Sequence, residues 1–274
     1  MIIQTAPAGE PRLAIMMYEH TALAHQLARA FGNARFEPPD PNDLFFHVVL
    51  HHDAGWAAFD RDPATNRKTG LPYNLVETPA AAITATSRGS PDYNERHHPF
   101  CGLLSSMHSW GLYNGRYGLS DMVLIEKLPA EDRPLAQHML DGELARQQRL
   151  KAELARDPAT AAWVEERRLF QAYKQLQFVD TLALYFNRVH PSERGETRFE
   201  HVPLTATKDT GVTVRPRAAG IYEVAPYPFA ADAAEFAFAG RPIMPDQCDA
   251  AGSWAKALAA SPTAWERFRL VAAL

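Results

Sequence analysis

The segments of this chain that read as helices carry histidine or aspartate on the stripe that must face inward. Along residues 18–32, His20, Leu23, Ala24, Leu27 and Phe31 recur at steps of three and four, and Gly32 supplies a stop. His20 therefore shares the buried face. A second helix is expected from the Asp40-Pro41 start pair through LFFHVVLHHDAGW to Gly55, with His52 and Asp53 in its last turn. A third, opened by Asp157-Pro158 and running to about residue 188, puts Leu169, Tyr173, Leu176 and Asp180 on one stripe. A carboxylate buried there requires a partner, because an uncompensated charge is seldom left in a core. Either these polar groups meet, or each is satisfied alone: Asp180 by an arginine, the histidines by ordinary hydrogen bonds.

Between these segments, RDPATNRKTGLPYNLVETP reads as a long ordered loop, of the kind that is usually functional inside a domain. A short helix over residues 79–88 precedes a second polar loop, GSPDYNERHH, and PFCGLLSSMHSWGLY then returns to helical spacing with His98 at its start and His108 within it. Residues 129–156 form a charged amphipathic helix with a solvated face and no expected chemistry. After Pro191, the runs FEHVPLTA, GVTVRP and GIYEVAPYPF suggest three short antiparallel strands, and the tail from Pro245 reads as helical, with Ser261-Pro262 as a start signal. The expectation is a mainly α protein: a helical bundle with a small antiparallel β subdomain near the C-terminus. Residues 1–190 would be the helical, metal-binding domain, and residues 191–274 a β segment plus C-terminal helices packed on it.

Composition removes several alternatives. With 28 Lys+Arg against 32 Asp+Glu, the net charge of −4 gives no basic excess to hold a nucleic acid polymer or an anionic membrane surface. No apolar run approaches the roughly 18 residues of a membrane span, and MIIQTAPAGEPRLA lacks the basic and apolar stretches of a secretory signal. Cys101 and Cys248 have no metal-type spacing, so a reducing cytoplasm is expected. Glycine-rich phosphate loops, G-x-S-x-G elbows and CxxC pairs are absent. Cys101 reads as a small buried residue.

What remains is a set of metal-ligand types on successive helices: His20, His52 with Asp53, His98, His108 and Asp180. Imidazole and carboxylate suit Fe, Mn, Zn, Ni or, through the carboxylates, Mg, and bundles build metal sites from facing helices in this way. Successive helical side chains point about 100° apart, so His52 and Asp53 can share an ion only near a helix end, which Gly55 favours. Four histidines and two aspartates suffice for one divalent ion or for two.

The segments EHTALAHQLARAFG and VVLHHDAGW resemble the opening of the HD superfamily of metal-dependent phosphohydrolases, over about residues 18–190. The resemblance implies an HD-like bundle with His20, His52, Asp53 and Asp180 as the basic ligands. HPFCGLLSSMHSWGLYNGRYG is similar to the insert of binuclear members and implies His98 and His108 at the second ion. The combination of HHDAGW, DPATNRKTGLPYNLVETP, LLSSMHSWGLY, LQFVDTLALYF and PYPF resembles the bacterial family called domain of unknown function 3891, over nearly the whole chain.

The likeness implies hydrolysis of a small phosphate ester or nucleotide. Arg67, Lys68 and Arg116, in the two loops expected to border the pocket, are candidates for contacting an anionic substrate, although solvated loop charge has the same composition. Trp56, Tyr73, Trp110 and Tyr113 could line the cavity. His51 is the spare acid or base, and Asp53 is both ligand and catalytic carboxylate. Two alternatives stay open: a diiron oxygenase using all six ligands on a small polar substrate, and a non-catalytic, metal-stabilised binding protein. Self-association is left open too.

Overall fold

The computed structural model describes residues 1–245 and 247–273. The expected helices form, with shifted ends. They are α1 (Met17–Ala30), α2 (Asn42–His51), α3 (Ala80–Glu95), α4 (Pro99–Tyr113), α5 (Arg133–Ala155) and α6 (Glu166–Arg188). A seventh, α7 (Trp254–Ala260), lies near the C-terminus, and single turns such as Ala57–Arg61 connect the larger elements.

The polar stretch GSPDYNERHH is not a loop over most of its length: α3 continues through it to Glu95, with Pro91 inside the helix. Tertiary contacts override the polar, proline-containing composition. Pro91 is buried, and Asn94 binds the carbonyls of Ser90 at 3.0 Å and His51 at 2.9 Å. At Asp157-Pro158 the opposite occurs: the chain turns, makes a short 3-10 segment at Ala161–Val164, and only then enters α6.

The expectation of a mainly α bundle with a small antiparallel β subdomain is overturned. The chain is 51% helix and 20% strand, and the strands make one curled, seven-stranded mixed sheet. In chain order these are β1 (Ile2–Ile3), β2 (Arg12–Ile15), β3 (Thr197–Thr205), β4 (Lys208–Ala218), β5 (Ile221–Ala225), β6 (Ala233–Ile243) and β7 (Ala264–Ala272). Their order across the sheet is β1-β2-β6-β7-β5-β4-β3, with β5 parallel to β7 and the other neighbours antiparallel. The sheet thus draws strands from both ends of the chain. β1 and β2 escape sequence reading because two and four residues are too few to display a period.

The helical tail is corrected as well. The segment after Ser261-Pro262 is β7, and its signal is period two: Phe268 and Leu270 are buried while Arg267 and Arg269 face out. Phe268 stacks on Phe186 of α6 at a centroid separation of 3.7 Å, so this strand seals the end of the long helix. Arg194, buried at the same junction, donates to the Phe186 carbonyl at 2.6 Å and the Tyr222 hydroxyl at 2.8 Å, and pairs with Glu266 at 2.5 Å. One apolar cluster runs from the helices into the sheet, and a smaller one gathers Met1, Ile3, Leu71, Ile243 and Trp254 beneath α7. No described helix is long and apolar enough to cross a membrane.

Candidate metal centre

His20 lies in the first turn of α1 and Asp180 in the middle of α6, whose inward stripe also carries Gln177 and Asn187. At the end of α2, His52 keeps helical dihedrals, but Asp53 leaves them at φ −110° and ψ 22°, ahead of a 3-10 turn at Ala54–Trp56. That exit lets two adjacent side chains converge. Gly55 allows the turn to lie directly on α3: a Cβ there would collide with the Thr86 carbonyl, and its amide donates to Ser90 Oγ at 3.0 Å.

The side chains meet in the core. His20 Nε2 is 3.1 Å from Asp180 Oδ1 and 3.9 Å from Asp53 Oδ2; His52 Nε2 is 3.5 Å from Asp53 Oδ2 and 3.7 Å from Asp180 Oδ1. His108, from α4, joins from the other side, its ring 5.0 Å from that of His52. Two sets of donor atoms, His20-His52-Asp53 and His52-His108-Asp180, each lie within 4.8 Å of one another and share His52. The His108, Asp180, His20 and His52 side chains are buried, while the Asp53 side chain keeps 15% of its surface exposed.

The outer nitrogens of the histidines are held. His20 Nδ1 is 2.9 Å from Asn187 Oδ1, and His52 Nδ1 is 2.7 Å from the Val49 carbonyl. Both partners accept, so each Nδ1 carries a proton and each Nε2 points inward at the carboxylates, the orientation of metal-binding histidines, in which an ion takes the place of a proton held there. His108 Nδ1 faces the Gln177 amide at 2.8 Å. With that amide turned so that its otherwise unpartnered Oε1 accepts, His108 has the same tautomer.

These residues fit a divalent cation. His52 Nε2 is buried between two carboxylates without a hydrogen-bond partner. Four ligands at 2.0–2.1 Å around a tetrahedral ion stand about 3.4 Å apart, and the donor separations here run from 3.1 to 3.9 Å. The electrostatics agree. Burial disfavours a charged His52, but Asp53 and then Asp180 outweigh it and push its pKa up to about 9. Asp180, despite its burial, is held well below the usual carboxylate range by its contacts with His20 and His52 and by the positive charge of His52. Two carboxylates therefore attract positive charge to this point. His108, where burial dominates, is lowered to about 4 and is neutral.

Other candidates fall elsewhere. His98 caps α4, its Nδ1 accepting from the Phe100 amide at 3.1 Å beside the Trp163 ring, away from the cluster. Arg67 and Lys68 are exposed in the loop, Tyr73 is half-buried there, and Trp56 is buried against Phe59. Trp110 packs on Tyr117, and Tyr113 is fully buried. Arg116 lines a cavity of about 190 Å³ with Gln177, Thr181 and His201, reaching the back of the His108 contact. His51 lines a larger cavity of about 500 Å³ with Asp53, so the exposed edge of the cluster opens there. Its pKa is lowered by burial and by His97, His25 and His52, which leaves the ring neutral and able to accept a proton. Asn187 and Gln177 escaped sequence reading, although their spacing from Asp180 by seven and three residues places them on its face.

A family model described as Protein of unknown function (DUF3891) matches residues 1–244. The chain belongs to that family. The match covers all five converging ligand candidates and ends before α7 and β7. Comparison with curated proteins and with solved structures returns no match.

Proposed function

We propose that the protein is a metal-dependent hydrolase acting on a small, anionic phosphate ester, with one or two divalent ions held by His20, His52, Asp53, Asp180 and His108. The observation that carries this reading is the buried, unpartnered Nε2 of His52 facing two carboxylates. The HD-type order of ligands along the chain supports it. A divalent ion bound there supplies Lewis acidity, lowering the pKa of water and neutralising phosphate charge.

The chain's own groups have separable tasks. Asn187 and the Val49 carbonyl fix the His20 and His52 rings, so the donor atoms need no rearrangement on loading. Asp53, the one partly exposed member, marks the face from which substrate approaches. His51, neutral and lining the same cavity, is placed to take a proton from water and then pass it to a leaving oxygen. A six-ligand diiron oxygenase is less well supported, since His98 stands outside the cluster.

Elemental analysis of the purified protein, before and after incubation with Mn, Fe, Zn or Ni, tests the centre. At least one ion per chain is expected in wild type and its loss in His52→Gln. No bound metal under any condition would overturn the proposal. Phosphatase turnover that follows metal loading and falls in His51→Gln without metal loss would support the assigned roles. Two irons with an oxo-bridge absorption band would favour the oxygenase.

A further inference from the structure

The cavity of about 500 Å³ beside Asp53 is of the size that holds a small organic ligand. Its wall is mostly apolar, with Met16, Met17 and Leu50 contributing to it along with Ala255, Leu258 and Ala259 of α7. A ribose, a base edge or a polyol needs many hydrogen-bonding groups to replace lost water, and beyond the hydroxyls of Tyr18, Thr21 and Tyr93 this wall is chiefly aliphatic. Its ionisable groups are His51 and Asp53 of the metal centre together with Asp60, Arg61 and Arg241.

The two arginines are available. No carboxylate among the described residues lies within 4.0 Å of either guanidinium. Arg241, on β6 and half-buried, donates to the Ser261 carbonyl at 2.8 Å through Nη1, which leaves the rest of its donor fork free. Asp60, which also lines the cavity, is already engaged by the Met1 ammonium at 3.0 Å and the Met17 amide at 2.5 Å. Glu19 feels the charge of Arg241 from a greater distance. The loop cations Arg67 and Lys68 do not line this cavity.

We infer that the substrate is an amphipathic anion: its charged head is received by Arg241 and Arg61 in the cavity that Asp53 also lines, and a compact apolar body rests against Met16, Leu50 and Leu258. The inference rests on the metal-centre reading for the position of the reacting group, but the recognition surface exists without metal. α7, outside the matched family region, thereby becomes a specificity element.

Calorimetric titration with methylphosphonate and phenylphosphonate, on manganese-loaded and on metal-stripped protein, tests it. In both forms phenylphosphonate is expected to bind about tenfold or more tighter than methylphosphonate, the ring burying apolar area that the methyl group cannot. Arg241→Gln is expected to weaken both ligands about tenfold, as loss of a charge-assisted contact does. Arg61→Gln, at an exposed position outside the core, should weaken both in the same direction. Ala259→Trp, which fills the apolar end from an exposed position, should abolish the phenyl advantage and leave methylphosphonate binding in place. Equal affinities for the two ligands in wild type, or unchanged binding in both arginine variants, would overturn the inference. Metal content measured on the same samples separates the two readings. Metal bound without phenyl preference sinks the substrate class alone, whereas preference without any metal sinks the hydrolase and keeps the recognition site.

Discussion

Replacing Asp180 by Asn keeps the shape of the side chain and removes one of the two charges that define the centre. In the metal-free protein, His52 has its pKa raised from 6.5 to about 9, largely against its burial, by Asp53 and Asp180. Between those values the native state holds a proton that the unfolded chain has released, so stability falls as pH rises. The contribution is fully present below pH 6.5 and lost by about 9. A shift of this size corresponds to about 3 kcal/mol at ~1.4 kcal/mol per unit. On the acid side the sign reverses: His108, lowered to about 4, resists charging, and stability is lost as pH falls from 6.5. The metal-free protein should therefore be most stable near pH 6.5. Asp180→Asn should flatten the alkaline slope, because only Asp53 remains to hold the His52 proton. It should also weaken metal binding by more than ~100-fold, since losing only an outer partner of a ligand typically costs 10–100-fold. Urea unfolding of stripped protein from pH 5 to 9.5, with competitive titration of Mn or Zn against a chromophoric chelator, measures both effects. In wild type, metal affinity should rise with pH until His52 has lost its proton. Wild-type stability independent of pH between 6.5 and 9, together with metal affinity within threefold in the variant, would refute the coupling of these groups.

Three further outcomes follow from particular contacts. His98→Ala removes the side-chain cap of α4 and should cost about 1 kcal/mol in unfolding experiments while leaving metal content unchanged; loss of metal would place His98 in the centre after all. Gly55→Ala drives a Cβ into the Thr86 carbonyl and should destabilise by about 1–3 kcal/mol, with metal affinity falling as the His52-Asp53 turn is pushed off α3. Cys101, with no exposed surface and its thiol pushed up to about 12 by burial, should resist a disulfide-exchange reagent at pH 8 until the protein unfolds. Rapid labelling of Cys101 in the native state would contradict that burial.

Helical periodicity was enough to put His20 and Asp180 on inward faces and to mark His52-Asp53 as a helix end, because an amphipathic stripe is a local property of the chain. The same period contained Asn187 and Gln177, whose amide side chains are hydrogen-bond partners of ligands and not ligand types themselves. Other matters depended on residues far apart in sequence. Whether His98 or His108 would reach the cluster turned on which of them caps α4 and which lies inside it facing α2 and α6. Pro91 could remain in a helix only because neighbouring helices hold it there. The sheet was least legible, since β1 and β2 acquire their identity by pairing with each other and with β6, more than two hundred residues away for Arg12 and Ile243. From the sequence alone came the inventory of polar groups that the core must reconcile. Which of them share one point, and which arginines line the cavity beside it, was decided by the packing of helices from distant parts of the chain and by the end of β6, an interior strand of the sheet that brings Arg241 to the cavity wall.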